Sequence, residues 1–281
     1  MKKKEISRPA RHKYESDIRH RINYAREVLK SQSKFFRRHF GAVESEFKSD
    51  VSRITFADIA ISENINKLLI ENFPKDNFCS EEMDAHSKSI HLNGDFSWLL
   101  DPVDGTNNFA LGFPMCSISL SLLHEGFPIY GMVYDYSIDS IIEGGEGFGL
   151  FHNGKSLKLH DNKCEIQRII GIQFPINEKE ESALRPLLSK FKVRAIGSSV
   201  IMSTLSAKGY LFGIFDNRPK VWDLASGYAF AKAVGKPFNF IKNNPFPLES
   251  FHPALPQYPY FSGEKSFCEE VSYYIGNNKL Y

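Results

Sequence analysis

The sequence has few cysteines and no long apolar run. Its four cysteines stand at positions 79, 116, 164 and 268, and no two of them form a CxxC pair. This spacing argues against a zinc site or a disulfide framework and is typical of a protein in a reducing cytoplasm. The chain begins Met1-Lys2-Lys3-Lys4 and stays polar through Tyr14, so no apolar signal core follows. No apolar run approaches the roughly twenty residues of a membrane span. We therefore expect a soluble cytoplasmic protein with no membrane partner.

The chain also lacks a strong overall charge, because its formal net charge is only +2, but that charge is unevenly distributed. The first fifty residues contain fourteen Lys and Arg against seven acidic residues. Such a basic segment can bind RNA or an acidic partner, although a solvated helix face is the commoner explanation. Ile18, Ile22, Ala25 and Leu29 recur at helical spacing. This periodicity predicts a helix over residues 14–30 with its apolar side packed on the body of the protein.

No internal repeat or low-complexity linker divides the 281 residues, so we expect one domain over residues 1–281. Its N-terminal lobe, about 13–160, should contain a second helix over 57–72 and a large antiparallel sheet over 116–159. The turns of that sheet are expected at Glu125-Gly126, Gly144-Gly145 and Asn153-Gly154. Its C-terminal α/β lobe, about 165–281, should alternate strands and helices. The expected elements there are strands 168–174, 191–196 and 211–215, and helices 179–189, 198–208 and 223–234.

The most informative motif is Asp101-Pro102-Val103-Asp104-Gly105-Thr106. It follows Phe96 to Leu100, which is typical of the end of a buried strand, so two carboxylates stand where the backbone meets solvent. Carboxylates three positions apart on a chain turned by Pro102 and Gly105 can converge on hard cations. The free amides of Gly105 and Thr106 can face an anion. An ordinary Asp-capped turn would look similar, so the motif alone is ambiguous.

Further acidic residues favour a metal site over an ordinary Asp-capped turn. Glu81, in Ser80-Glu81-Glu82, follows a predicted short strand and should reach the same sheet edge. Asp223 opens the helical pattern that begins at Trp222-Asp223 and ends at Gly235, where a simple N-cap is the alternative explanation. Asp58 likewise can be only a helix cap.

Three of these blocks, in this order, resemble the inositol monophosphatase family of metal-dependent, lithium-sensitive phosphatases. Ser80-Glu81-Glu82 is similar to the family's Gly-Glu-Glu, Asp101 to Phe109 to its Asp-Pro-Ile-Asp-Gly-Thr-x-Asn-Phe, and Trp222 to Gly227 to its Trp-Asp-x-Ala-x-Gly. Weaker matches occur at Asp58, at Asn153-Gly154 and at Gly197-Ser198-Ser199. The departures, among them Ser80 for Gly and Asn107 for Thr, remove no expected metal ligand. The resemblance implies an α+β fold, an αβαβα layered sandwich, and a homodimer.

The resemblance also implies a Mg²⁺-dependent phosphoric monoester hydrolase with two or three ions. Glu81, Asp101, the Val103 carbonyl, Asp104 and Asp223 would bind the metals. Thr106 and Asp58, with Glu81, would serve catalysis by steering a metal-activated water. The amides of Gly105 and Thr106 would hold phosphate oxygens.

The residues leave the substrate open. Asp216 and Ser199 correspond to substrate contacts in the family, which favours inositol monophosphate or a related sugar or polyol phosphate. Arg218 and Lys220 can instead bind a second anionic group, as in a fructose-1,6-bisphosphatase or a 3'-phosphoadenosine 5'-phosphate phosphatase. Because some bacterial members of this family act in RNA synthesis or ribosome assembly, the basic N-terminus also leaves open a binding factor for nucleic acid or the transcription machinery. A binding-only protein, however, has no chemical need for the full set of acids.

Overall fold

Seven α-helices and sixteen strands make up the described part of the chain. The structure is a computed structural model that describes residues 8–42, 45–47, 53–84, 88–92, 94–160 and 168–278. The helices are α1 (Arg8–His39), α2 (Phe56–Asn72), α3 (Thr106–Leu111), α4 (Glu178–Lys190), α5 (Ser199–Ala207), α6 (Val221–Val234) and α7 (Lys265–Asn278). The strands are β1 (Ser45–Phe47), β2 (Arg53–Thr55), β3 (Asn77–Ser80), β4 (Ile90–His91), β5 (Phe96–Asp104), β6 (Ser117–His124), β7 (Phe127–Asp135), β8 (Ser140–Gly145), β9 (Gly149–His152), β10 (Lys155–Ser156), β11 (Ile169–Ile172), β12 (Lys192–Arg194), β13 (Gly213–Asp216), β14 (Phe238–Phe240), β15 (Ser250–Phe251) and β16 (Tyr260–Gly263).

Two large sheets carry the architecture. The first has seven strands in the order β10-β9-β8-β7-β6-β5-β3, antiparallel except for the parallel pair β3 and β5. The second has five strands in the order β12-β11-β13-β16-β14 and mixes parallel with antiparallel pairs. Helices α1 and α2 pack on one face of the first sheet, and α6 packs on its other face beside α5. Helix α5 also contacts the second sheet, whose far side holds α7 and α4. The layers are therefore α, β, α, β, α, and the αβαβα sandwich is confirmed.

Apolar periodicity explains the first layer. Ile18, Ile22, Ala25 and Leu29 of α1 are all buried against the first sheet, as predicted. The helix is longer than the predicted 14–30 because the buried stripe continues to Phe36, whose ring packs on Phe109 and Tyr134. Helix α2 occupies almost the predicted range and buries one stripe in the same core.

The end of β5 differs from the expected turn. Every residue of the strand from Phe96 to Asp104 is buried, and the ladder with β6 shifts register between Asp101 and Asp104. Pro102 has no amide hydrogen for a ladder bond, so a bulge at this point accommodates it. The two acids therefore lie within a bulged strand end, and the turn follows at Gly105.

The prediction of a hairpin turn at Gly144-Gly145 is wrong. Both glycines lie inside β8, and a Cβ at Gly145 would stand 2.0 Å from the Ile129 carbonyl oxygen. These glycines thus permit close strand packing and do not form a turn. The connection before β8 is a 3₁₀ turn over Tyr136–Ile138. The turns at Glu125-Gly126 and Asn153-Gly154 are confirmed.

Beyond residue 168 the predicted alternation is confirmed from β11 through α6, with ends within a few residues of those expected. The strands β14 and β16 and helix α7 were not predicted. The division into lobes at about 160 to 165 remains a prediction, since residues 161–167 lie outside the described ones.

Candidate functional site

A polar cavity of about 790 Å³ opens at the bulged end of β5. Its wall includes the β5 end and the turn after it on one side and the start of α5 and α6 on the other. Eight of the ten site residues predicted from the sequence line it, namely Glu81, Asp101, Val103, Asp104, Gly105, Thr106, Ser199 and Asp223. The other two, Asp58 and Asp216, do not line it.

Three carboxylates converge in this cavity. Asp101, Asp104 and Asp223 each present one oxygen atom, and these oxygens lie within 4.8 Å of one another. Asp101 and Asp104 are buried, whereas Asp223 is half-buried. Glu81 lines the same cavity but does not belong to this group of three. The arrangement offers several hard oxygen ligands at one point, the donor set that Mg²⁺ prefers.

Burial and mutual repulsion raise the pKa values of carboxylates in this acidic cluster. Burial raises the pKa of Asp101 well above its usual range, and the charges of Glu81, Asp104 and Asp223 raise it further. Burial also raises the pKa of Asp223, again with Glu81 and Asp104 adding to the effect. Three close carboxylates without a cation disfavour full ionisation, so a bound cation would relieve the repulsion.

Asp104 is held in place by the start of helix α5. Its Oδ1 accepts hydrogen bonds from the amides of Ser199 at 3.1 Å and Val200 at 3.4 Å. Its Oδ2 accepts from the hydroxyls of Ser117, at 3.1 Å, and Ser198. Burial nevertheless raises the pKa of Asp104 to about 6, against the lowering effect of these donors. A carboxylate at the end of β5 thus binds the N-terminus of helix α5, where its charge is favoured.

Asp223 occupies the third position of α6, so the simple N-cap reading is wrong. The helix begins at Val221, and the N-cap residue is Lys220, whose amide donates to Asp223 Oδ2 at 2.7 Å. The Asp223 carboxylate therefore accepts a hydrogen bond from the Lys220 amide at the start of the helix, and Asp223 still lines the cavity.

Asp58 caps helix α2 and also lies within hydrogen-bond reach of Thr106. It is the third residue of α2 in a capping box, in which Thr55 donates to Asp58 Oδ2 from its amide at 2.7 Å and its hydroxyl at 2.6 Å. The Thr106 hydroxyl lies 3.4 Å from Asp58 Oδ1 and 2.9 Å from the Val103 carbonyl oxygen, so its one hydrogen can serve either acceptor. Burial is the main reason that the pKa of Asp58 is raised to about 7.

Gly105 joins the β5 end to α3 in a conformation that suits glycine alone. Its φ is +79°, and a Cβ there would stand 2.9 Å from the Met115 carbonyl oxygen and 3.3 Å from the Ser198 Cβ. Because no side chain intrudes, the turn can lie directly against the segment before α5. This close approach brings Thr106 and Ser199 to the same cavity.

The predicted substrate residues separate into exposed and buried groups. Arg218 and Lys220 both line the cavity. Arg218 is exposed, whereas Lys220 is half-buried and its ammonium donates to the Leu255 carbonyl oxygen at 2.5 Å. Asp216 is fully buried and accepts from the Arg218 amide at 3.2 Å. Burial raises the pKa of Asp216 to about 6, although the Ser199 hydroxyl and that amide oppose the shift. A direct contact between Asp216 and a substrate in the cavity is therefore not provided by this arrangement.

Sequence reasoning missed part of the wall. Gln173 and Gln257 line the cavity, and the buried Oε1 of Gln173 has no hydrogen-bond partner. Gln173 follows the apolar strand Ile169–Ile172, so a polar residue at a strand end was an available signal. Gln257 lies in a loop without a motif, and only the tertiary structure places it here.

Comparison with known proteins identifies the family and the fold. The chain matches the inositol monophosphatase family over residues 14–266. It is 27% identical over 214 residues to the fructose-1,6-bisphosphatase/inositol-1-monophosphatase of Aquifex aeolicus, covering 72% of this chain and 79% of that protein. It is 28% identical over 216 residues to the putative Nus factor SuhB of Neisseria meningitidis, covering 74% of this chain and 76% of that protein. Among solved structures, the IMPase of Thermotoga maritima superposes with a TM-score of 0.77 at 21% identity, covering 93% of this chain and all of that one.

The αβαβα fold and the ordered acidic motifs are thus those of the inositol monophosphatase type. The chain belongs to the inositol monophosphatase family. None of the helices in the described ranges is both long and apolar enough to cross a membrane.

Proposed function

We propose that this protein is a Mg²⁺-dependent phosphomonoesterase that hydrolyses a small sugar or polyol phosphate, with inositol monophosphate as the preferred substrate. The observation that carries this proposal is the convergence of Asp101, Asp104 and Asp223 in one polar cavity. The family and the name of the Aquifex relative support the same reaction class.

The donor set fits Mg²⁺. The residues that line the cavity in the described part of the chain include no His or Cys, and their acidic groups offer only oxygen. Asp101, Asp104, Asp223, Glu81 and the Val103 carbonyl would hold two or three ions. Bound there, Mg²⁺ would neutralise the phosphate charge and make a bound water more acidic.

The remaining groups orient the reactants. Thr106 would hydrogen-bond an attacking water, and Asp58 Oδ1 lies 3.4 Å from the Thr106 hydroxyl oxygen. With its pKa raised to about 7 by burial, Asp58 can take up a proton near neutral pH. The amides of Gly105 and Thr106 would hold phosphate oxygens at the cavity wall.

The wall also supports a second candidate, a bisphosphatase. Arg218 is an exposed cation at the cavity, and one similar protein carries fructose-1,6-bisphosphatase in its name. Lys220 is the weaker candidate for a second anion because its ammonium is already bonded to Leu255. A polyol phosphate would instead depend on Ser199, which lines the cavity, with Asp216 behind it.

Another alternative is a binding factor, favoured by the similarity to a putative Nus factor and by the basic residues of α1. The convergence of three acids is costly without a cation, which weighs toward catalysis. A homodimer and inhibition by lithium are further parts of the proposal that come from the family resemblance, and a cytoplasmic location is a further part that comes from the cysteine spacing.

A phosphatase assay over a panel of phosphate esters tests the reaction. We expect release of phosphate from inositol monophosphate that requires Mg²⁺, stops with EDTA, and is inhibited by millimolar lithium. Asp101→Asn protein is the control for contaminating phosphatases. Failure on every ester, together with retention of RNA by the purified protein, would favour the binding factor.

Substrate class is tested on the best ester of that panel. For a bisphosphate, Arg218→Ala should raise KM by about ten- to a hundredfold, since a charge-assisted contact is worth roughly 1.5–3 kcal/mol. Lys34→Ala, which removes an exposed cation of α1, is the matched control. An unchanged KM in Arg218→Ala would leave the polyol monophosphate as the substrate class.

A further inference from the structure

Asn108 of helix α3 joins a segment beside the first sheet to a segment beside the second through its side-chain amide. Its Nδ2 donates to the Met115 carbonyl oxygen at 2.7 Å and to the Ile196 carbonyl oxygen at 2.9 Å. Met115 precedes β6 of the first sheet, and Ile196 lies between β12 and α5 of the second lobe. Both amide hydrogens of one side chain are thus used to hold two distant segments together.

The bonded segment leads directly to Asp104. Gly197 follows Ile196 with a φ of +74°, and a Cβ on it would stand 3.0 Å from Asn108 Nδ2. The next two residues, Ser198 and Ser199, donate to the Asp104 carboxylate from a hydroxyl and an amide. Asn108 therefore fixes the segment that in turn fixes a carboxylate of the acidic cluster.

We propose that Asn108 is a positioning residue for the metal centre, which sets the orientation of Asp104 through Gly197 and the start of α5. The proposal rests on the proposed function in assuming that the acidic cluster binds Mg²⁺. Groups that orient metal ligands commonly control metal affinity even though they touch no metal.

The local surroundings suit a test by substitution. Asn108 is half-buried and forms part of the wall of a second, largely apolar cavity of about 570 Å³. Replacing the amide group therefore removes two hydrogen bonds without opening a hole in a closed core. Asn108→Asp keeps the volume but turns an acceptor toward two carbonyl oxygens, and Asn108→Ala removes the group.

The measurement is the thermal unfolding of EDTA-treated and desalted protein titrated with Mg²⁺ alone. We expect Asn108→Asp and Asn108→Ala to need about tenfold more Mg²⁺ for half-maximal stabilisation. In the phosphatase assay, the Mg²⁺ requirement should rise in parallel, whereas KM for the ester at saturating Mg²⁺ should stay near that of wild type.

Asn153→Ala is the matched control, since this asparagine also bridges two segments. It accepts from the Ile141 amide at 2.8 Å and donates to Ser140 at 3.2 Å, in a hairpin whose residues do not line the acidic cavity. Its loss should lower the melting temperature without changing the Mg²⁺ midpoint.

Several outcomes would overturn the proposal. A wild-type midpoint in both Asn108 variants, an equal shift in Asn153→Ala, or an Asn108→Asp protein that does not fold would show a structural role only. A wild-type protein that Mg²⁺ does not stabilise would overturn the metal site itself. That last result is distinguishable, because it needs no Asn108 variant.

Discussion

Replacing Asp216 by asparagine should stabilise the metal-free protein, and the gain should grow with pH. The Asp216 carboxylate is fully buried, and its Oδ2 atom has no hydrogen-bond partner. Burial raises its pKa from 3.8 to about 6, against the Ser199 hydroxyl and the Arg218 amide. Ionised Asp216 is therefore a cost to the folded state that asparagine does not carry.

The magnitude follows from that shift. Because the folded-state pKa is raised, the native protein keeps a proton that the unfolded chain has lost between about pH 4 and pH 6. The free energy of unfolding of the wild-type protein therefore falls as pH rises through this window, and above it the contribution of Asp216 stays constant. Raising the pKa of Asp216 by about two lowers the free energy of unfolding by roughly 3 kcal/mol at neutral pH. The advantage of Asp216→Asn should consequently be larger at about pH 7.5 than at about pH 5, by on the order of 1 kcal/mol.

Urea denaturation in EDTA at about pH 5 and about pH 7.5 measures this difference. Hydrogen bonds that the asparagine loses or alters change the free energy of unfolding by an amount that does not depend on pH. The contributions of the other titrating groups are the same in both proteins and cancel in the difference. Asp139→Asn is the control of opposite sign, since hydrogen bonding to Arg37 lowers the pKa of that exposed carboxyl. An Asp216→Asn advantage that does not increase with pH would refute the reasoning. The KM of the same variant shows whether Asp216 contributes to substrate binding.

Asp101→Asn should abolish most turnover with an unchanged circular dichroism spectrum and no loss of metal-free stability, because it removes one of three mutually repelling acids. Near-normal activity would contradict the ligand assignment. Gly105→Ala should lower the free energy of unfolding by about 1–3 kcal/mol, since it places a Cβ near the Met115 carbonyl at positive φ. Asp76→Asn should cost about 3–5 kcal/mol in urea denaturation, because it breaks a bidentate ion pair with Arg21 at 2.7 and 2.8 Å. A loss below about 1 kcal/mol would show that the pair is solvated.

Local sequence patterns were sufficient to predict much of the fold and the location of the candidate site. Helices α1 and α2 follow from apolar residues at helical spacing, because a helix that packs on a sheet must bury one stripe. The acids after Phe96–Leu100 were expected at a strand end, and three of the predicted ligands do converge. The family followed from three motifs in order, which the match over residues 14–266 confirms.

Other features depend on residues far apart in the chain. Gly144 and Gly145 resemble a turn locally, but neighbouring strands leave no room for a Cβ, so they lie within β8. Asp216 is near Asp223 in sequence, yet β13 carries it into the interior and away from the cavity wall.

The sequence by itself determined the acidic residue types, the strand end that carries two of them, and the family. Only the tertiary structure decided how those acids are oriented. Asp104 is held by donors more than ninety residues away, namely the Ser198 hydroxyl and the amides of Ser199 and Val200. Those donors are themselves placed by Asn108 and by the close approach at Gly105. Local sequence cannot specify such contacts, because they form only when segments far apart in the chain pack together.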